Sequence, residues 1–161
     1  MNYLRISFGI FLILAASRFI PHPPNFTSLI ALSFYVPLIF GRKFILSVVL
    51  SFAITDIFFG LHSTILFTWG SVFIIGMIST YFKKSLLTRM TGVVSSVVIF
   101  FVITNLGIWL INPYDHNVGS LLDTFGLAIP FFLYNIISTI IFSIIIEIIY
   151  WINKTIRVKV R

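Results

Sequence analysis

The chain has 161 residues, of which 59% are hydrophobic and only 9% charged, with a mean hydropathy of +1.11. A water-soluble domain of this size needs far more charge on its surface, so the composition excludes an ordinary soluble globule. The absence of cysteine excludes disulfides and thiolate chemistry, and the net charge of +7 sits at the ends of apolar runs, where it reports membrane orientation rather than nucleic-acid binding.

The apolar runs predict six spans, at residues 4–20, 27–41, 44–61, 64–82, 90–111 and 128–151, several of them near the ~20 residues a bilayer core demands. Strand-like alternation is absent, which argues against a membrane β-barrel. The first run, behind MNYLR, also fits a signal peptide, with small residues at Ala15 and Ser17; the expectation is that it is retained as a span. SRFIPHPPNFTS, residues 17–28, follows as the first external loop. Its prolines stiffen it in extended form, and Asn25-Phe26-Thr27 spells a glycosylation sequon.

The second run is short and carries Pro37, which predicts a kink and leaves a re-entrant segment as the alternative. The third holds Asp56 six residues before His62, roughly 9 Å below the rim at 1.5 Å per residue. In the fifth, Gly92 and Ser96 form a small pair that favours close packing, and Gly107 adds slack. In the last, Ser120 and Asp123 fit a capping box. Gly126 and Pro130 then interrupt it, so a short surface helix near 120–126 is expected before a span from about Pro130.

Charge sets the orientation. With the N-terminus inside, Arg5, Arg42, Lys43, Lys83, Lys84, Arg89, Lys154, Arg157, Lys159 and Arg161 all face the cytoplasm, and Arg18 alone lies outside. The fold expected is an all-α integral membrane protein. It is a multi-pass six-transmembrane-helix bundle with both termini cytoplasmic and one domain over residues 1–161.

Polar residues gather on the outer side of this bundle. They are Arg18, His22, Asn25, Asp56, His62, Asn105, Asn112, Tyr114, Asp115, His116 and Asp123. A polar cavity opening outward explains them, as does the ordinary polarity of outer loops. Asp56 needs a partner at its depth. Arg18 is the obvious one, whether as a helix staple or as a shared ligand contact, and a protonated Asp56 bonded to a carbonyl is a third option. Asn105, Trp109 and Asn112 share a helix face. They suit a ligand with an aromatic ring and hydrogen-bonding edges, or else interhelical bonds and an interfacial belt. The candidate ligand-binding residues are Arg18, His22, Asn25, Asp56, His62, Asn105 and Trp109. No catalytic motif, resident metal or cofactor is expected, because the three histidines lack H-x-x-H or H-x-x-x-H spacing and no P-loop, G-x-S-x-G or H-E-x-x-H occurs.

RFIPHPPNFTSLIAL, TDIFFGLH, ITNLGIWL and AIPFFLYN together resemble a family of small bacterial membrane proteins of uncharacterised activity, described as transport proteins. Their architecture looks like the S components of energy-coupling-factor transporters. That resemblance implies six helices, both termini inside, and capture of a vitamin or metal ion in an outward-facing site covered by loops. It matches Arg18, His22, Pro24 and Asn25 to the first-loop motif, Asp56 and His62 to the third-helix motif, and Thr104, Asn105 and Trp109 to the fifth. S components that dock an energising module usually carry an A-x-x-x-A-type pair in the first helix. This chain has Ser7, Gly9, Ala15, Ala16 and Ser17 there without a clean pair.

The function expected is therefore a small membrane transport protein or substrate-capture subunit, not an enzyme. Its partners would be the lipid bilayer, a small-molecule ligand (vitamin-like or metal-containing) and an energising module or other membrane subunit, with no nucleic acid. The alternative is a non-transport accessory or assembly subunit of a larger membrane complex, which predicts a solid outer end without a cavity.

Overall fold

The computed structural model describes residues 3–112 and 116–159, with side chains described as far as Asn153. Tyr114 and Asp115, Arg161, and the side chains of Lys154, Arg157 and Lys159 fall outside the described residues. Six α-helices follow one another: α1 Tyr3–Phe19, α2 Leu29–Phe40, α3 Ile45–Phe59, α4 Ile65–Ser79, α5 Leu86–Ile111 and α6 Val118–Lys159. Single 3-10 turns at Arg42–Phe44 and Thr80–Phe82 link α2 to α3 and extend α4. The chain is 86% helical and has no strand among the described residues.

Cross-helix bonds fix the directions. The Ser7 and Ser47 hydroxyls pair at 2.8 Å and Arg18 meets Asp56, so α1 and α3 run parallel. Arg89 meets Glu147 and Trp109 meets Ser120, so α5 and α6 run antiparallel. The Tyr3 hydroxyl donates to the Lys43 carbonyl, and the Arg42 guanidinium donates to Thr80. These bonds gather Arg5, Arg42, Lys43, Lys83, Lys84 and Arg89 toward one end of the bundle, called here the basic end. The loops around His22, His62 and His116 form the opposite end.

Helix α2 is the core of the molecule. Every residue from Leu29 to Leu38 is buried, because the helix is apolar on all sides and can be accommodated only in the interior. Its shortness, which marks it as the weakest span in the sequence, follows from being wrapped by neighbours. Gly92 makes that wrapping close, since a Cβ there would meet the Phe34 and Phe82 rings at 2.6 Å. Gly107 is likewise a site of close approach rather than slack, because the Phe67 ring occupies the space a Cβ would need.

Three helices are long and apolar enough to cross a membrane: Ile65–Phe82, Leu86–Ile111 and Val118–Asn153. The other three have 17, 12 and 15 residues, so they reach about 18–26 Å at 1.5 Å per residue, short of the ~30 Å hydrocarbon core. The expected short helix before Pro130 is absent. Helix α6 runs unbroken through Gly126 and Pro130, both on its exposed side. The cap also differs from the expected Ser120 box: Asn117 Oδ1 accepts the Ser120 amide at 2.9 Å, which starts the helix three residues earlier.

Candidate functional site

Arg18 sits in the last turn of α1 and Asp56 in the last turn of α3. Because α1 and α3 are parallel, both side chains reach the same level, and Arg18 Nη1 lies 2.7 Å from Asp56 Oδ1. The same nitrogen donates to Thr55 Oγ1 and, at 3.4 Å, to the Phe52 carbonyl. The guanidinium lies over the Phe52 ring at 4.7 Å and the Phe59 ring at 4.9 Å, which adds cation–π attraction on its faces. Asp56 is only 3% exposed, a depth that demands full pairing. Its second oxygen takes a 2.8 Å hydrogen bond from the Trp69 indole on α4.

This three-helix knot forms one wall of a cavity of about 650 Å³, within the size range of small-molecule sites. Arg18, His22, Asn25, Asp56, His62 and Asn105 all line it. Asn25 is carried there by a turn in which it adopts φ +62°, a conformation that Asn tolerates better than most residues. His22 is held against the Pro23 carbonyl at 2.7 Å and the Arg18 carbonyl at 3.3 Å. Phenylalanine dominates the remaining wall, with Phe100 and Phe101 from α5 and Phe131 and Phe132 from α6.

Trp109 stands apart from this lining. Its indole donates to Ser120 Oγ at 3.0 Å and its ring meets His116 edge-on at 5.2 Å, so it ties α5 to the start of α6. Asp123 is exposed on α6. Among the described residues no three His, Asp or Glu side chains come together in a way that could hold a metal ion.

The cavity's polar groups are incompletely used by the protein. Arg18 spends Nη1 on its protein partners, while Nε and Nη2 make no hydrogen bond to any described residue. Asn105 donates its amide to the Phe101 carbonyl at 2.7 Å and leaves its side-chain oxygen without a donor. Asn135, buried on α6 and lining the cavity, makes no side-chain hydrogen bond to described residues. A guanidinium edge, an amide oxygen and a whole carboxamide are thus available to a bound molecule. Asp56 neutralises Arg18 in place, so the pair brings no net charge to the wall.

Two groups at this end carried no signal in the sequence. Trp69 looks like one more apolar residue of α4, and its role follows only from the way α3 and α4 turn back on each other. Asn135 is embedded in an isoleucine-rich run. At the basic end, Glu147 accepts from both Nε (2.5 Å) and Nη2 (2.8 Å) of Arg89, and also from the Tyr35 hydroxyl at 2.9 Å.

The structure thus defines an all-helical bundle with three helices suited to crossing a membrane and an ion-paired, phenylalanine-walled cavity at the end opposite its basic residues. The chain belongs to a family of unknown function, DUF6580, whose family model matches residues 2–159. No curated protein and no solved structure matches it.

Proposed function

We propose that the protein is a small substrate-capture or transport protein of the bacterial cytoplasmic membrane, with all six helices within the bilayer, both termini cytoplasmic and the cavity facing outward. The observation that carries this reading is the cavity of about 650 Å³ lined by six of the seven residues expected to bind ligand. Its unspent donors and acceptors on Arg18, Asn105 and Asn135 suit an uncharged or zwitterionic small molecule with an aromatic ring and hydrogen-bonding edges. The vitamin-like part of the expected ligand range fits this wall, and the resemblance to S components points the same way. The exposed Leu, Ile and Phe side chains on the outer faces of the helices suit lipid contact. Helices too short to span alone can be accommodated by local thinning of the bilayer around the bundle. Function then consists of binding and reorientation, without covalent chemistry. An accessory subunit would have no use for an open cavity of this size, so the cavity favours capture.

Native mass spectrometry of the gently purified chain tests this reading. A co-purifying small molecule is expected in the wild type and absent in the Asp56→Asn, Arg18→Gln double variant at equal expression. Retention of that molecule by the double variant refutes the site. Stoichiometric protein partners and no small molecule support the accessory role.

A further inference from the structure

Most buried serines in this bundle bond back into their own helix, while Ser28 and Ser47 pair with hydroxyls of α1. Ser33, Ser51, Ser71, Ser79, Ser96 and Ser138 each donate to a carbonyl three or four residues back in their own helix, the usual way of satisfying a hydroxyl away from water. Thr139 and Ser143 do not. They are 1% and 0% exposed; neither hydroxyl reaches a carbonyl of the described residues, and only the Tyr35 phenol lies beside Ser143. Asn135, the cavity residue with the unspent carboxamide, stands four residues before Thr139, and Glu147 stands four residues after Ser143.

Asn135, Thr139, Ser143 and Glu147 therefore form one polar file along α6, about 18 Å long at 1.5 Å per residue. It starts in the cavity and ends on the carboxylate at the basic end. The Tyr35 phenol lies beside Ser143 and donates to Glu147, so α2 contributes a further hydroxyl near the end of the file. An unsatisfied hydroxyl in an apolar interior is costly, and two in register beside a half-buried carboxylate are hard to account for as packing alone. Groups of this kind are characteristically bridged by internal water. Ionisable residues inside a membrane protein most often mark an ion or proton pathway.

We propose that this file is a proton path and that Glu147 is the proton-binding site at its end. Water from the cavity enters at Asn135 and is held by the Thr139 and Ser143 hydroxyls. A hydronium on this chain of water gives its proton to a Glu147 carboxylate oxygen, leaving neutral water and a neutral carboxylic acid. Arg89 on α5 keeps its charge but loses its ionic partner. Among the described residues, Tyr35 on α2 and the Tyr150 ring, 5.6 Å from the Arg89 guanidinium, are the other titratable groups at the site. Release of the proton to water at the basic end restores the ion pair. The bundle would thereby gain a proton-driven step that does not depend on the identity of the cavity ligand.

The test uses the full chain reconstituted in phosphatidylcholine–phosphatidylglycerol vesicles loaded with a pH-sensitive dye, with a proton gradient imposed from outside. Wild-type vesicles are expected to acidify faster than protein-free ones. Glu147→Gln should abolish that excess, and Thr139→Val with Ser143→Ala should slow it about tenfold, the effect of losing a buried hydrogen-bonding station. The Val and Ala side chains preserve the packing, so this double variant should melt no lower than the wild type, which separates a lost path from a lost fold. Wild-type acidification no faster than that of empty vesicles overturns the proposal, as does an unchanged rate in either variant. A chain that fails to float with the vesicles on a density gradient overturns the spanning reading and this proposal with it.

Discussion

Two ion pairs stand at opposite ends of the bundle, one on the buried Asp56 and one between half-buried partners, and they differ in how much of each arginine they use. At the cavity end, Arg18 meets Asp56 through one nitrogen, and the carboxylate's second oxygen belongs to Trp69. At the basic end, Arg89 grips both oxygens of Glu147 in a two-point fork, with Tyr35 as third donor. The geometry of the second pair is the strong one, since bidentate guanidinium–carboxylate pairing adds both energy and orientation. The first pair leaves guanidinium edge free beside a cavity. The difference separates a pair suited to holding helices from a pair that can also meet a third molecule.

Breaking the pairs one at a time sharpens that contrast. Glu147→Leu removes a two-point fork and the Tyr35 acceptor at a half-buried site and should cost about 2–3 kcal/mol, the usual loss for hydrogen bonds to a charged group. Chemical denaturation in detergent measures it, and Arg89→Met in the same chain should recover most of the loss. Asp56→Leu should cost less, about 2 kcal/mol, because Arg18 keeps Thr55 and the Phe52 carbonyl and can be hydrated from the cavity. If Asp56→Leu proves the more damaging change, the cavity-end pair is the main staple and the contrast fails.

Glycine packing offers a second comparison between the same regions. Gly92→Ala drives a methyl group into Phe34, which is fully buried and has nowhere to move, so a loss of about 1–3 kcal/mol is expected. Gly107→Ala meets the Phe67 ring and, at 2.8 Å, its Cβ, and rotation of the side chain cannot move the Cβ. Its loss should equal or exceed that of Gly92→Ala. Gly9→Ala, with open space around it, is the neutral control. Thermal melting of the three variants orders them.

The cavity-end pair was legible in the sequence because scarcity decides it. Arg18 is the only basic residue of its end and Asp56 the only acid within the adjoining helices, so each selects the other. The basic-end pair was not legible for the opposite reason. Arg42, Lys43, Lys83, Lys84 and Arg89 all lie at the same end of the bundle as Glu147, and only the antiparallel register of α5 on α6 picks Arg89. Tyr35 is hidden for a third reason: a helix apolar all round gives no sign of which face meets which neighbour. The continuity of α6 through Pro130 was obscured by a local rule, that glycine and proline end helices, which α6 does not follow.

The smallest effect expected is also the most discriminating. Ser96 and Ser143 are both fully buried serines, on facing helices α5 and α6. Ser96 donates to the Gly92 carbonyl at 2.7 Å, whereas Ser143 reaches no carbonyl of the described residues and has only the Tyr35 phenol beside it. Ser96→Ala removes a made hydrogen bond and should cost about 0.5–1 kcal/mol. Ser143→Ala removes a hydroxyl that bonds to no helix carbonyl and should leave the melting temperature unchanged or raise it. If Ser143→Ala instead destabilises the bundle as much as Ser96→Ala does, the hydroxyl is satisfied by a protein group, and the gap in the α6 file between Thr139 and Glu147 is closed by ordinary packing. If it stabilises, the hydroxyl is retained at a cost to the fold, and the value of that cost has to be sought in what passes along the file.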